Sequence, residues 1–168
     1  MEMFFRVIDR TSELSSKTAS ILAMVLTLII AYDVIMRYIF SMPTVWAYDY
    51  TIIIYGSYTM LGAAYCHRLG GHVTMDLIYG RLSTRTQAIV DVICYIFLFF
   101  PLFITLTYKM WQHAVWSVTT GEAGSASVFS PRLGFFKVIL AYGFTLFLLQ
   151  GGANFLRTLK YVYERRGQ

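Results

Sequence analysis

The sequence predicts an all-α integral membrane protein with four transmembrane helices, an amphipathic interfacial helix at the N-terminus and both termini in the cytoplasm. Three observations carry this. Of 168 residues, 57% are apolar, 17% aromatic and only 14% charged, with a mean hydropathy of +0.58, outside the usual balance of soluble domains. Four segments are each long and apolar enough to cross about 30 Å of hydrocarbon, which takes roughly 20 helical residues. Lys and Arg, finally, are distributed unevenly among the connections.

Residues 1–17 put Phe4, Val7, Ile8, Thr11 and Leu14 on one helical face, with Glu2, Arg6, Asp9, Arg10 and Glu13 on the other, a pattern that predicts a helix lying in the membrane interface. No short apolar core followed by a small-residue cleavage site is present, so the segment is not read as a signal peptide. The first span covers 18–40. Ser41, Met42 and Pro43 leave only a very short outer loop, which requires a tight hairpin into a second span over 46–66. Gly70 and Gly71 allow the chain to turn in the loop 67–86, where Met75, Ile78, Tyr79 and Leu82 share a face and hint at a second surface helix. A third span, 87–108, leads to an outer segment, 109–132, whose small polar stretch 117–127 carries Gly121 and Gly124. The fourth span is 133–155 and the tail 156–168. Ten of the fourteen Lys and Arg fall in the N-terminal segment, the middle loop and the tail, which places all three in the cytoplasm. The whole is a single membrane domain, too short in its connections to hold a soluble one.

The basic character of the chain, pI about 9.3, follows from this topology and from contact with membrane lipids; no basic patch interleaved with aromatics points to nucleic acid. Asp33 and Arg37 lie four apart on one helix face near the outer end of span one. They read either as a structural i,i+4 pair that offsets the cost of a charge at bilayer depth, or as a contact to a partner helix or a proton relay. Asp49 follows Trp46 in the first turns of span two, where an acid complements the helix dipole and an outward carboxylate could receive a basic soluble partner. His67, His72 and His113 sit at or beyond span ends, unlike the facing in-span histidines of haem anchors. Cys66 and Cys94 have neither disulfide nor metal-ligand spacing. No nucleophile elbow, phosphate loop or paired-acid motif appears, so the residues point to no enzyme and no cofactor.

The most specific stretch runs Gly62 to Asp76, GAAYCHRLGGHVTMD, with Arg68 placed to anchor at the headgroups. Together with Arg37-Tyr38 closing span one and Trp46 and Asp49 opening span two, it resembles the small, Q-type (DctQ-like) membrane subunit of tripartite ATP-independent periplasmic (TRAP) transporters, along nearly the whole chain. Asp49 stands where that family more often has Glu. The resemblance implies a non-catalytic subunit in the inner membrane of a bacterium or archaeon. It would scaffold the large M-type elevator subunit and help dock the periplasmic P-type substrate-binding protein, in a sodium-coupled symport that takes up an organic acid. Arg37, Trp46, Asp49, Arg68, His72 and Asp76 are the matched positions, expected with Asp33 to act as structural or interface residues. Two other readings stay open: a membrane anchor of a redox enzyme, which would need inward-facing histidines, and a small proton-coupled exporter, for which Asp33 is the candidate.

Overall fold

The computed structural model describes residues 2–69, 84–124 and 129–164. The regular elements among them are helical: α1 (Glu2–Tyr38), α2 (Ala47–Arg68), α3 (Thr84–Cys94), a π-helical turn (Tyr95–Phe99), α4 (Phe100–Thr120) and α5 (Gly134–Glu164). Three stretches, Arg6–Tyr38, Ile89–Thr120 and Gly134–Lys160, are long and apolar enough to cross a membrane. At 22 residues α2 has the length of a span, but its tyrosines, hydroxyl residues and Asp49 make it less apolar than these three.

The N-terminal layout departs from expectation. In place of an interfacial helix over 1–17 and a separate span beginning at 18, α1 is one unbroken helix of 37 residues. Nothing in its sequence would stop it, since no Gly or Pro occurs between positions 2 and 38. Its covered face is Ile8, Ser12, Ser15, Ala19 and Leu26, whereas Val7 and Leu14, expected on the same face as Ile8, are exposed. Small side chains line the buried stripe, which lets α2 come close.

The helices α3 and α4 form one rod through the π turn. Pro101 has no N–H to give to the carbonyl four residues back, and its ring crowds that carbonyl. The ladder slips by one residue, and the Phe100 N–H donates to the Tyr95 carbonyl. The rod ends at Gly121, whose φ of 65° is the left-handed conformation that a helix C-terminus favours. Residues 109–120 of the expected outer segment are thus helix, and only 121–133 form the connection. There the Gly124 N–H donates to the Pro131 carbonyl at 2.8 Å and the Leu133 N–H to the Glu122 carbonyl at 3.0 Å.

Packing is serial: α1 lies on α2, α2 on α5, and α5 on the rod. The helix α5 also touches α1, but α1 and the rod stand at opposite ends of the array. Glycines set the closest approaches. A Cβ added to Gly143 of α5 would lie 2.9 Å from the Met60 Cβ and 3.2 Å from the Met60 carbonyl carbon and oxygen, while Gly151 faces the Phe99 ring. Beside Gly151, the rings of Phe99, Phe103 and Phe147 pack together with centroids 4.7 to 5.7 Å apart.

Candidate functional site

Polar side chains gather at the two ends of the array. At the end that holds Glu2 and Arg68, the centre is Gln150, fully buried in α5. Its side-chain oxygen accepts from the Ser12 hydroxyl at 3.0 Å and its amide donates to Asp9 Oδ1 at 3.3 Å. Asp9 also accepts from Arg157 Nη2 at 2.8 Å. Arg68 approaches the same carboxylate at 3.6 Å and Glu13 at 3.8 Å, and donates to the Asp9 carbonyl at 3.1 Å. Asn154 donates to the His67 carbonyl at 2.9 Å, and the His67 Nε2 and Tyr95 hydroxyl are 3.2 Å apart. Thus α1, α2, α5 and the π turn are joined through one hydrogen-bonded network. Each of its buried polar atoms would otherwise sit unpaired in an apolar setting, which is the costlier state.

One expectation changes here. Asp9 is not on a solvated outer face; it turns inward as the carboxylate that α2 and α5 share. Arg68 secures the end of α2 to α1, with its guanidinium also 5.9 Å from the centre of the Tyr65 ring. Ser12, Gln150, Asn154 and Arg157 were not anticipated. The signal was present in α5, because Gln150, Asn154 and Arg157 recur at helical spacing at the end of an otherwise apolar run, where polar groups need partners. His72 and Asp76, and the surface helix suggested by Met75, Ile78, Tyr79 and Leu82, lie outside the described residues.

At the opposite end Asp33 closes the hairpin. Arg37 Nη2 donates to one carboxylate oxygen at 2.7 Å, and the Thr44 hydroxyl and backbone N–H, the latter at 3.3 Å, donate to the other. Asp33 is therefore saturated by local donors, and Arg37 carries the outward charge, 54% exposed. Trp46 stacks on Tyr32 at 6.0 Å and meets Tyr50 edge-on at 6.0 Å, and Tyr50 in turn packs on Phe129. Asp49 is 6% exposed, so its carboxylate does not reach outward as a docking point would. The structure brings Asp33, Arg37, Trp46 and Asp49 to one end and puts Arg68 at the other.

A second ion pair borders this end. Lys137 in the first turn of α5 bonds Glu122 in the connection, and its ammonium stands 5.7 Å from the centre of the Trp116 ring. Lys137 holds the Glu122 carboxyl below its ordinary value of 4.5. A lowered folded-state value means that the pair supports the connection above the unfolded value and loses that support only as pH falls below about 4.5. In a variant that keeps Trp116 and replaces Trp46 and Trp111 by Phe, fluorescence is expected to stay level from neutral pH down to about 5 and to change only in acid, and Glu122→Gln to abolish the acid step. A step near neutral pH would show that another group governs the connection.

Residues 26–161 match the family model described as "Tripartite ATP-independent periplasmic transporters, DctQ component". No curated protein matches the chain.

Proposed function

Because this chain belongs to the DctQ component family of tripartite ATP-independent periplasmic transporters, we propose that it is the non-catalytic scaffold subunit of such a transporter. In this reading α2 is the fourth span, both termini are cytoplasmic, and the membrane is the inner membrane of a bacterium or archaeon. The chain braces a large elevator-type subunit while a substrate-binding protein docks at the Arg37 end, for sodium-coupled uptake of an organic acid.

The observation that carries the proposal is the serial array itself. Helices packed in a row rather than around a closed core leave two broad apolar faces open, and the α3–α4 rod is exposed along most of its length. Among the described residues, the ion pairs within and between the helices lie toward the ends of the array. A scaffold needs such apolar faces for a membrane partner and polar ends for soluble contacts; a transport pathway needs polar groups at mid-depth. The α2 helix suits this role despite its lower apolarity, because α1 and α5 cover its two flanks.

The test is co-expression with a large membrane subunit of the same family, purification through a tag on this chain, and uptake by reconstituted vesicles under a sodium gradient. The large subunit is expected to co-purify, and uptake to require both chains and a binding protein. Arg37→Glu is expected to leave co-purification intact while lowering uptake about tenfold at limiting binding protein, the effect of a reversed rim charge on association. Transport by this chain alone would refute the scaffold reading.

A further inference from the structure

At the Glu2 end, one face of α1 and Arg68 of α2 border an open recess of about 570 Å³ lined by Arg6, Asp9, Arg10, Glu13, Leu14, Lys17 and Arg68, within the size range of small-molecule sites. Its four cations outnumber its two carboxylates, and both carboxylates are engaged. Asp9 is shared between Arg157 and Arg68, and Glu13 between Lys17 at 3.1 Å and Arg68. By that count the lining is net positive, and Arg6 and Arg10 are exposed on successive turns.

One wall leads into the membrane. Leu14 lines the recess and is followed along α1 by Ile21, Leu28 and Ile35, all exposed. They lie seven residues apart, and seven residues complete almost two turns, so they form one apolar stripe. A site for a soluble anion has no use for such a stripe. An anionic headgroup attached to acyl chains matches both parts.

We propose that this recess is a binding site for one anionic phospholipid, with the phosphodiester held by Arg6 and Arg10 and an acyl chain lying along Leu14, Ile21 and Leu28. The inference rests on α1 crossing the membrane with this end at the headgroups. It makes no use of uptake or of the docking site, so it can fail while co-purification of the large subunit stands.

The test uses the full chain with its co-purifying membrane subunit, in nanodiscs of phosphatidylglycerol or phosphatidylcholine, with retained lipid read by native mass spectrometry. Phosphatidylglycerol is expected to be retained in preference to phosphatidylcholine. Arg6→Gln and Arg10→Gln are each expected to reduce that preference about fivefold, from the typical contribution of one basic residue at an anionic surface. Lys109→Gln with Arg132→Gln, which removes twice the charge of either single variant but at the other end, is expected to leave it unchanged. On the unsubstituted protein, millimolar inorganic phosphate is expected not to displace the lipid, and this arm holds even if the arginine variants fold poorly. Equal retention of the two lipids, loss of preference in the remote double variant, or displacement by phosphate would each overturn the proposal, the last pointing to a soluble phosphate site.

Discussion

Gly143→Leu is expected to lower the stability of the helix array strongly. At Gly143 even a methyl group would fall 2.9 Å from the Met60 Cβ and 3.2 Å from the Met60 backbone. A flexible side chain can rotate away from an intruder, but a helix backbone can yield only if α2 and α5 separate. Overpacking of an ordinary core costs about 1–3 kcal/mol, and a leucine against backbone belongs at the upper end or beyond; alanine is expected to cost roughly 1 kcal/mol. Gly152 is the matched control, for a Cβ there meets nothing within 4 Å. Gly152→Ala is expected to be neutral, or stabilising by up to about 1 kcal/mol through helix propensity. The measurement is chemical denaturation of the purified chain in micelles, followed by circular dichroism. If Gly143→Leu unfolds at the same midpoint as Gly152→Ala, the close approach of α2 to α5 at Met60 is wrong.

What the sequence made legible follows the distance over which each interaction acts. The Asp33–Arg37 pair is local, four residues along one helix, and its geometry could be read from spacing alone. The tight hairpin at 41–43 was equally local. The continuity of α1 was written in the absence of Gly and Pro, but the change from charged to apolar composition near position 17 imitates a boundary. The π turn had its cause in Pro101, inside an apolar run that otherwise reads as an uninterrupted span. Asp49 and Gln150 are different. Which face of α2 or α5 is covered depends on the order in which the helices lie side by side, and no single helix encodes that order. Asp9 was misplaced for the same reason: amphipathicity identifies a polar face, but a polar face can turn inward when another helix brings it an arginine and a glutamine.

Asp9 offers the sharpest test of that order, because its partners come from α2 and α5, 59 to 148 positions away in the chain. Asp9→Asn removes the charge that Arg157 and Arg68 share and keeps the size of the side chain. Hydrogen bonds to charged groups contribute about 1.5–3 kcal/mol; Asp9 and Arg157 are 21% and 39% exposed, so solvent screening brings the expected loss to about 1–2 kcal/mol. In a double-mutant cycle with Arg157→Gln, the two losses are expected to be non-additive by about 1 kcal/mol, the signature of direct coupling. Glu13→Gln is the comparison. Glu13 makes an exposed i,i+4 contact with Lys17 within α1 and meets Arg68 of α2 only at 3.8 Å, and the two together are expected to contribute less than about 1 kcal/mol. Additive losses for Asp9 and Arg157 would mean that α1 and α5 do not meet at this end. Non-additive ones would establish from solution energetics that α1 is tied to α5 as well as to α2, so that the N-terminal turns belong to the array rather than to a separate surface helix.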